Sequence, residues 1–225
     1  MKLRSSALLV LLFSLWAPLM AQAHVKLLTS PVYAGTTQEL IFTIEHGCSG
    51  TDTVSLQVRI PDGVTSVRGQ DAVWGKAVVV KDATSGNVTS VTWSKTDALP
   101  ADVLFYRVSI SAKLPASPFT PVYFPAVQTC QAADGTQTTV EWTSLTTDGE
   151  PAPMAFLLPA RTPGWNKFTV GQHLTDLTVF KDAQIVWAGS AAYSANPVVM
   201  SLISQEPNTQ VLSDIAAGTD IWVKY

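Results

Sequence analysis

Between residues 39 and 142 apolar and polar residues alternate with a period of two, and turn-forming residues interrupt the pattern at short intervals. Few architectures accept such a chain. Leu40, Phe42 and Ile44 alternate with Glu39, Ile41, Thr43 and Glu45, and Val54, Leu56, Val58 and Ile60 alternate with Ser55, Gln57 and Arg59. The signal recurs at Val88 to Trp93, at Tyr106, Val108, Ile110 and Ala112, at Val122 to Phe124 and at Thr139 to Trp142. Successive side chains of a strand point to opposite faces, so this period with one apolar face means half-buried strands. Ala34-Gly35, Pro61-Asp62-Gly63, Ser85-Gly86-Asn87, Pro115-Ala116-Ser117-Pro118 and Asp134-Gly135 supply the turns between them. Many short strands with almost no helical periodicity predict an all-β fold, an antiparallel β-sandwich.

The first 23 residues are of another kind. Met1-Lys2-Leu3-Arg4 precedes an apolar run from Ala7 to Trp16, broken only by Ser14, and Ala21-Gln22-Ala23 stands just before His24. A basic start, an apolar stretch too short to span a bilayer and an A-x-A cleavage site describe a signal peptide rather than a retained anchor. The working chain is then expected to begin at His24, to be periplasmic or extracellular, and to have no membrane span. Removing Lys2 and Arg4 takes the 14 basic residues to 12 against 17 acidic ones, and the net charge from −3 to −5. An acidic surface without a basic stripe argues against nucleic acid or an anionic membrane as partner.

Cys48 and Cys130 fit an oxidising compartment, where an even pair in an exported chain forms a bridge. They lie 82 residues apart, a loop long enough for a disulfide to stabilise the fold by about 4 kcal/mol. The competing arrangement is a thiolate copper site, which wants two histidines and an axial methionine around the cysteine. Cys130 is followed by Gln131-Ala132-Ala133 instead.

Proline-dense stretches at Gly149-Glu150-Pro151-Ala152-Pro153 and Pro159-Ala160-Arg161-Thr162-Pro163 read as stiff, extended connections. They divide the chain into a signal peptide (1–23), a sandwich (24–159) and a C-terminal extension (160–225). Beyond Gly164 come Leu174 to Phe180, Ile185 to Trp187, a short helix opened by Asn196-Pro197 and running to Ile203, and a closing strand Ile221-Trp222-Val223. About 60 residues are marginal as an independent domain, so this small mixed extension is expected to pack on the sandwich.

Cleavage before His24 would leave one residue with both a free α-amine and an imidazole Nδ1, a chelate whose nitrogens suit Cu(II) above other divalent first-row ions. His46 closes a strand in Glu45-His46-Gly47-Cys48, and alternation points it to the face of Phe42 and Ile44. There it is either a third nitrogen ligand or a partly buried structural group bonded to backbone. His173, in Gly171-Gln172-His173, reads as a surface residue. The sequence holds no H-E-x-x-H, nucleophile elbow, P-loop or Rossmann glycine pattern, so no catalytic residue is expected.

At this point the residues carry a resemblance. His24-Val25, Ala34-Gly35, His46-Gly47-Cys48-Ser49-Gly50, Ile60-Pro61-Asp62-Gly63-Val64, Val91-Thr92-Trp93, Val122-Tyr123-Phe124-Pro125, Gln128-Thr129-Cys130 and Glu141-Trp142 resemble, in this order, the YcnI family of copper-binding exported proteins. The resemblance covers His24 to Pro159, and the extension resembles one found in only some members. It implies an immunoglobulin or cupredoxin-like β-sandwich holding one Cu(II) through a single-histidine brace at its processed N terminus, with a carboxylate and a tryptophan nearby. His24 carries over directly, Glu141 is the carboxylate and Trp142 the tryptophan. His46 could replace the carboxylate, and adjacent strand residues face opposite ways, which sets Glu141 and Trp142 at odds around one ion. The implied role is copper acquisition, delivery or tolerance, with a copper-transport or chaperone protein as partner. Two rivals stay open: a histidine-brace copper oxidase with an aromatic substrate platform, and a metal-free envelope interaction module. Against the platform, the tryptophans in Val91-Thr92-Trp93 and Ile221-Trp222-Val223 fit core positions.

Overall fold

The computed structural model describes residues 24–146 and 149–225; the expected signal peptide lies outside them. Among the described residues, twelve strands precede the extension. The first six are β1 (Val25–Leu27), β2 (Val32–Tyr33), β3 (Thr37–Ile44), β4 (Asp52–Arg59), β5 (Thr65–Gly69) and β6 (Val78–Lys81). They are followed by β7 (Val88–Ser94), β8 (Tyr106–Lys113), β9 (Pro121–Tyr123), β10 (Ala126–Gln131), β11 (Gln137–Trp142) and β12 (Met154–Leu158).

Two antiparallel sheets, ordered β1-β3-β8-β5 and β11-β10-β4-β7-β6, enclose one core, and a short mixed sheet β2-β12-β9 adjoins them. The inward residues of the alternating pattern fill that core: Leu40, Phe42, Ile44, Leu56, Val58, Val91, Trp93 and Ile110 are completely buried. Burying each large apolar side chain stabilises the fold by about 1.5–3 kcal/mol, so this face decides the architecture. Cys48 and Cys130 are bonded, with Cα atoms 5.7 Å apart. Cys48 sits in a short helical turn after β3 and Cys130 in β10, so the bond joins the two sheets.

One stretch departs from the sequence reading. Met154 to Leu158, flanked by the proline-dense segments, is the strand β12 rather than plain connection. It runs parallel to β2 and antiparallel to β9, because the prolines bracket it and leave its own amides able to pair.

The extension carries β13 (Trp165–Thr169), β14 (Ile185–Ala188), β15 (Ala191–Tyr193), helix α1 (Pro197–Gln205), β16 (Gln210–Val211) and β17 (Asp220–Lys224), in a sheet ordered β13-β17-β14-β15-β16. Asn196 caps α1 by accepting the Val198 amide, with Pro197 in the first turn, the arrangement that dipeptide favours. Trp222 corrects an expectation. It is 49% exposed, whereas its neighbours Ile221 and Val223 are buried, because alternation admits only one of the two sets to the core.

Candidate functional site

β1 and β11 are edge strands, each at one end of its own sheet, and the candidate site lies where His24, the residue just before the first, meets Trp142 at the end of the second. Val25 pairs with Ile44, which puts His24 opposite Glu45; the Glu45 N–H donates to the His24 carbonyl at 3.5 Å. The His24 ring stands 5.6 Å from the Trp142 ring, tilted by 38°. Glu45 also accepts a bond from Lys26 Nζ at 2.7 Å. That ammonium holds the Glu45 carboxyl below its ordinary range, and His24 and His46 act in the same direction.

Trp142 is held from behind. It is completely buried, and its indole Nε1–H donates to Gln128 Oε1 at 3.1 Å. Gln128, also fully buried, donates from Nε2 to Thr53 Oγ1 at 2.7 Å and to the His46 carbonyl at 3.0 Å. One amide thus ties the indole to the turn that carries His46. Sequence reasoning named Gln128 only within the Gln128-Thr129-Cys130 run and gave it no role at the site. The signal was there: in β10 it shares the inward face with Ala126 and Cys130, and a glutamine so placed must find partners.

The expected site residues separate. His24 and Trp142 come together, whereas Glu141 lies exposed on the other face of β11, as period two requires. His46 corrects its expectation. β3 ends at Ile44, alternation lapses, and the His46 side chain is 53% exposed with Nδ1 at 3.7 Å from Asp102 Oδ2. Its carbonyl, not its ring, faces inward. Among the described residues, strand pairing sets the Glu45 carboxylate beside His24, a neighbour that could not be placed without the β1–β3 register. His173 is exposed and pairs with Asp214 at 3.0 Å. Among the described residues, no group of three or more His, Cys, Asp or Glu side chains converges in a way that could hold a metal ion.

The backbone around His46 leaves little freedom. A Cβ on Gly47 would lie 1.7 Å from the Thr51 carbonyl oxygen, so only glycine fits between His46 and Cys48. The Asp102 amide donates to the Gly50 carbonyl at 3.2 Å, fixing the loop that faces His46.

A family model described as "Domain of unknown function (DUF1775)" matches residues 24–162. No curated protein matches the chain. Among solved structures, an uncharacterized protein from Nocardia farcinica with an immunoglobulin-like fold is similar at 26% identity and a TM-score of 0.48, over 60% of this chain and 98% of its own. A cohesin module from a Clostridium perfringens family 33 glycoside hydrolase is similar at 12% identity and a TM-score of 0.38, over 61% of this chain and 98% of its own.

Proposed function

The chain belongs to the family described as a domain of unknown function, DUF1775, and from that membership and the placement of His24 we propose an exported copper-binding protein. Processed so that His24 is its first residue, it holds one Cu(II) through a single-histidine brace and serves copper acquisition, delivery or tolerance. The disulfide and the all-β sandwich are consistent with export. Among the described residues no helix is long and apolar enough to cross a membrane.

One observation carries the reading: His24 heads β1 with its ring against Trp142 and its backbone opposite Glu45. The donor chemistry fits a brace better than any cluster of side chains. A metal site built from side chains alone needs several to converge, and the described residues offer no such group. A terminal histidine supplies two nitrogens by itself. Glu45, opposite His24 across β1 and β3, adds negative charge beside them. Trp142 forms a wall rather than a ligand, since its indole nitrogen is a donor committed to Gln128.

The test is a Cu(II) titration read by electron paramagnetic resonance, using the chain beginning at His24 and the same chain with one residue retained before it. One equivalent should bind tightly to the first, and tight binding should be lost in the second and in His24→Ala. Both donors bind metal only when deprotonated, so affinity should fall as the solution is acidified. Glu45→Gln should weaken binding more than Glu141→Gln. Equal affinity in the extended and processed chains would remove the brace.

A further inference from the structure

The outward face of the extension's sheet carries a row of tryptophans, and strand register fixes its layout. Trp222 on β17 stands opposite Lys167 on β13 and opposite Trp187 on β14, while Lys224 stands opposite Trp165. Paired residues and residues two apart share a face, so the three indoles lie on one surface. Trp165 is 51% exposed and Trp222 49%, and Trp187 is partly buried. Side chains directly opposite on neighbouring strands are about 5 Å apart and diagonal ones about 7–8 Å. Trp165 and Trp222 are therefore diagonal neighbours, and Trp222 and Trp187 direct ones, in a row across three strands.

Nothing in the folding of this sheet requires them there. Its core is made on the other face, where Ile221 and Val223 are completely buried. Between and beside the indoles stand polar groups. Lys167 Nζ pairs with Asp220 Oδ2 at 2.6 Å, and Thr169 donates to the other oxygen of Asp220 at 2.6 Å.

We propose that this face binds a polysaccharide, a β-linked glycan chain lying across β13, β17 and β14. A pyranose ring has a C–H face that stacks on an indole and an edge of hydroxyls that seek donors and acceptors. The face offers both in alternation, and a sheet surface suits an extended chain rather than a single sugar. A protein partner fits less well. The centres of protein interfaces are depleted of Lys and Asp, and covering the Lys167–Asp220 pair with apolar surface would cost its hydration, whereas sugar hydroxyls can bond to it. Nucleic acid also stacks on aromatic rings, but a chain from His24 onward, with 12 basic against 17 acidic residues and a net charge of −5, repels phosphate.

The test uses the chain from His24 to Tyr225, sedimented with microcrystalline cellulose, with chitin and with purified peptidoglycan; tryptophan fluorescence is then titrated with cellohexaose and chitohexaose. At least one of the solids should deplete the protein from solution. Trp165→Ala and Trp222→Ala should each weaken that binding by about tenfold, and Trp222→Phe should weaken it less. Far-ultraviolet circular dichroism should stay unchanged, because both rings are half in water. Retention by none of the three solids would overturn the proposal, as would undiminished retention of a folded double variant lacking both indoles. A protein ligand that depends on these tryptophans, in a chain that no glycan retains, would overturn it too.

Discussion

Asp52 is completely buried, and its oxygens accept three hydrogen bonds. Lys95 Nζ and the Leu99 amide bond to Oδ2 at 2.5 and 2.7 Å, and the Tyr106 hydroxyl bonds to Oδ1 at 2.7 Å. Lys95 also donates to the Tyr106 hydroxyl and lies over its ring. Burial alone would raise the Asp52 pKa, but the Leu99 amide, Lys95 and Tyr106 outweigh it and hold the group below its ordinary 3.8. Burial likewise works against the Lys95 charge, and the bonds to Asp52 and Tyr106 outweigh it, leaving that pKa above 10.5. A depressed carboxylate contributes stability above its unfolded value that is lost as pH falls through the folded one. A raised ammonium contributes stability below its unfolded value that is lost as pH rises through the folded one. The two together predict a stability plateau bounded on the acid side below about pH 4 and on the alkaline side above about pH 10. Asp52→Asn leaves Lys95 without its counter-charge and should cost about 3–5 kcal/mol. Denaturation midpoints measured across pH should fall in the variant, and their acid-side slope should flatten. A variant as stable as the parent at neutral pH would show that the pair contributes nothing net.

The elements were legible to the extent that one physical signal governed them. β3, β4, β7, β8, β9 and β11 stand where alternation placed them, because a half-buried strand imprints its period on the sequence. β6 left no such print: Val78, Val79 and Val80 are exposed on an edge strand, where no face selects for polarity. β12 was hidden by its flanking prolines. At the site, His24 and Trp142 were legible as residues, but Glu45 became its neighbour only through pairing between β1 and β3, a long-range fact absent from local pattern. His46 was misplaced because alternation was carried two residues past the end of its strand. The turn that ended it is itself tightly specified. Gly47 has no room for a Cβ beside the Thr51 carbonyl, so Gly47→Ala should displace the turn carrying Cys48 and cost about 2 kcal/mol or more. Thermal denaturation checks this. An unchanged midpoint would mean that the segment from His46 to Thr51 can shift freely, and the bond that Gln128 donates to the His46 carbonyl could not then be what fixes the indole.

At the scale of the molecule, two cores exist, and a few sandwich residues serve the second one. Along β12, Ala155 and Leu157 enter the sandwich core while Phe156, between them, packs against the core of the extension. Phe119, from the loop before β9, is completely buried in that second core. Its ring lies 5.8 Å from Phe168 and 5.2 Å from Phe180, and its amide donates to the Leu157 carbonyl at 2.7 Å. Phe119 also has a positive φ of 59°, a conformation that costs a non-glycine residue of order 1–3 kcal/mol. Burying the ring offsets that strain. The extension, marginal in size by itself, therefore draws part of its core from the sandwich, which accounts for its docking better than the proline-dense connection does. Phe119→Ala should cost about 3–5 kcal/mol, and the loss should fall on the coupling between the two cores. Calorimetry of the parent should show one cooperative transition. The variant should show two, with the earlier one accompanied by a change in the fluorescence of the extension's tryptophans, whereas the disulfide-bonded sandwich melts later. Phe119→Leu, which keeps part of the volume, should fall between the two. A single transition in the alanine variant, shifted to lower temperature as a whole, would mean that Phe156 and the remaining contacts suffice to couple the cores and that Phe119 contributes stability without being the link.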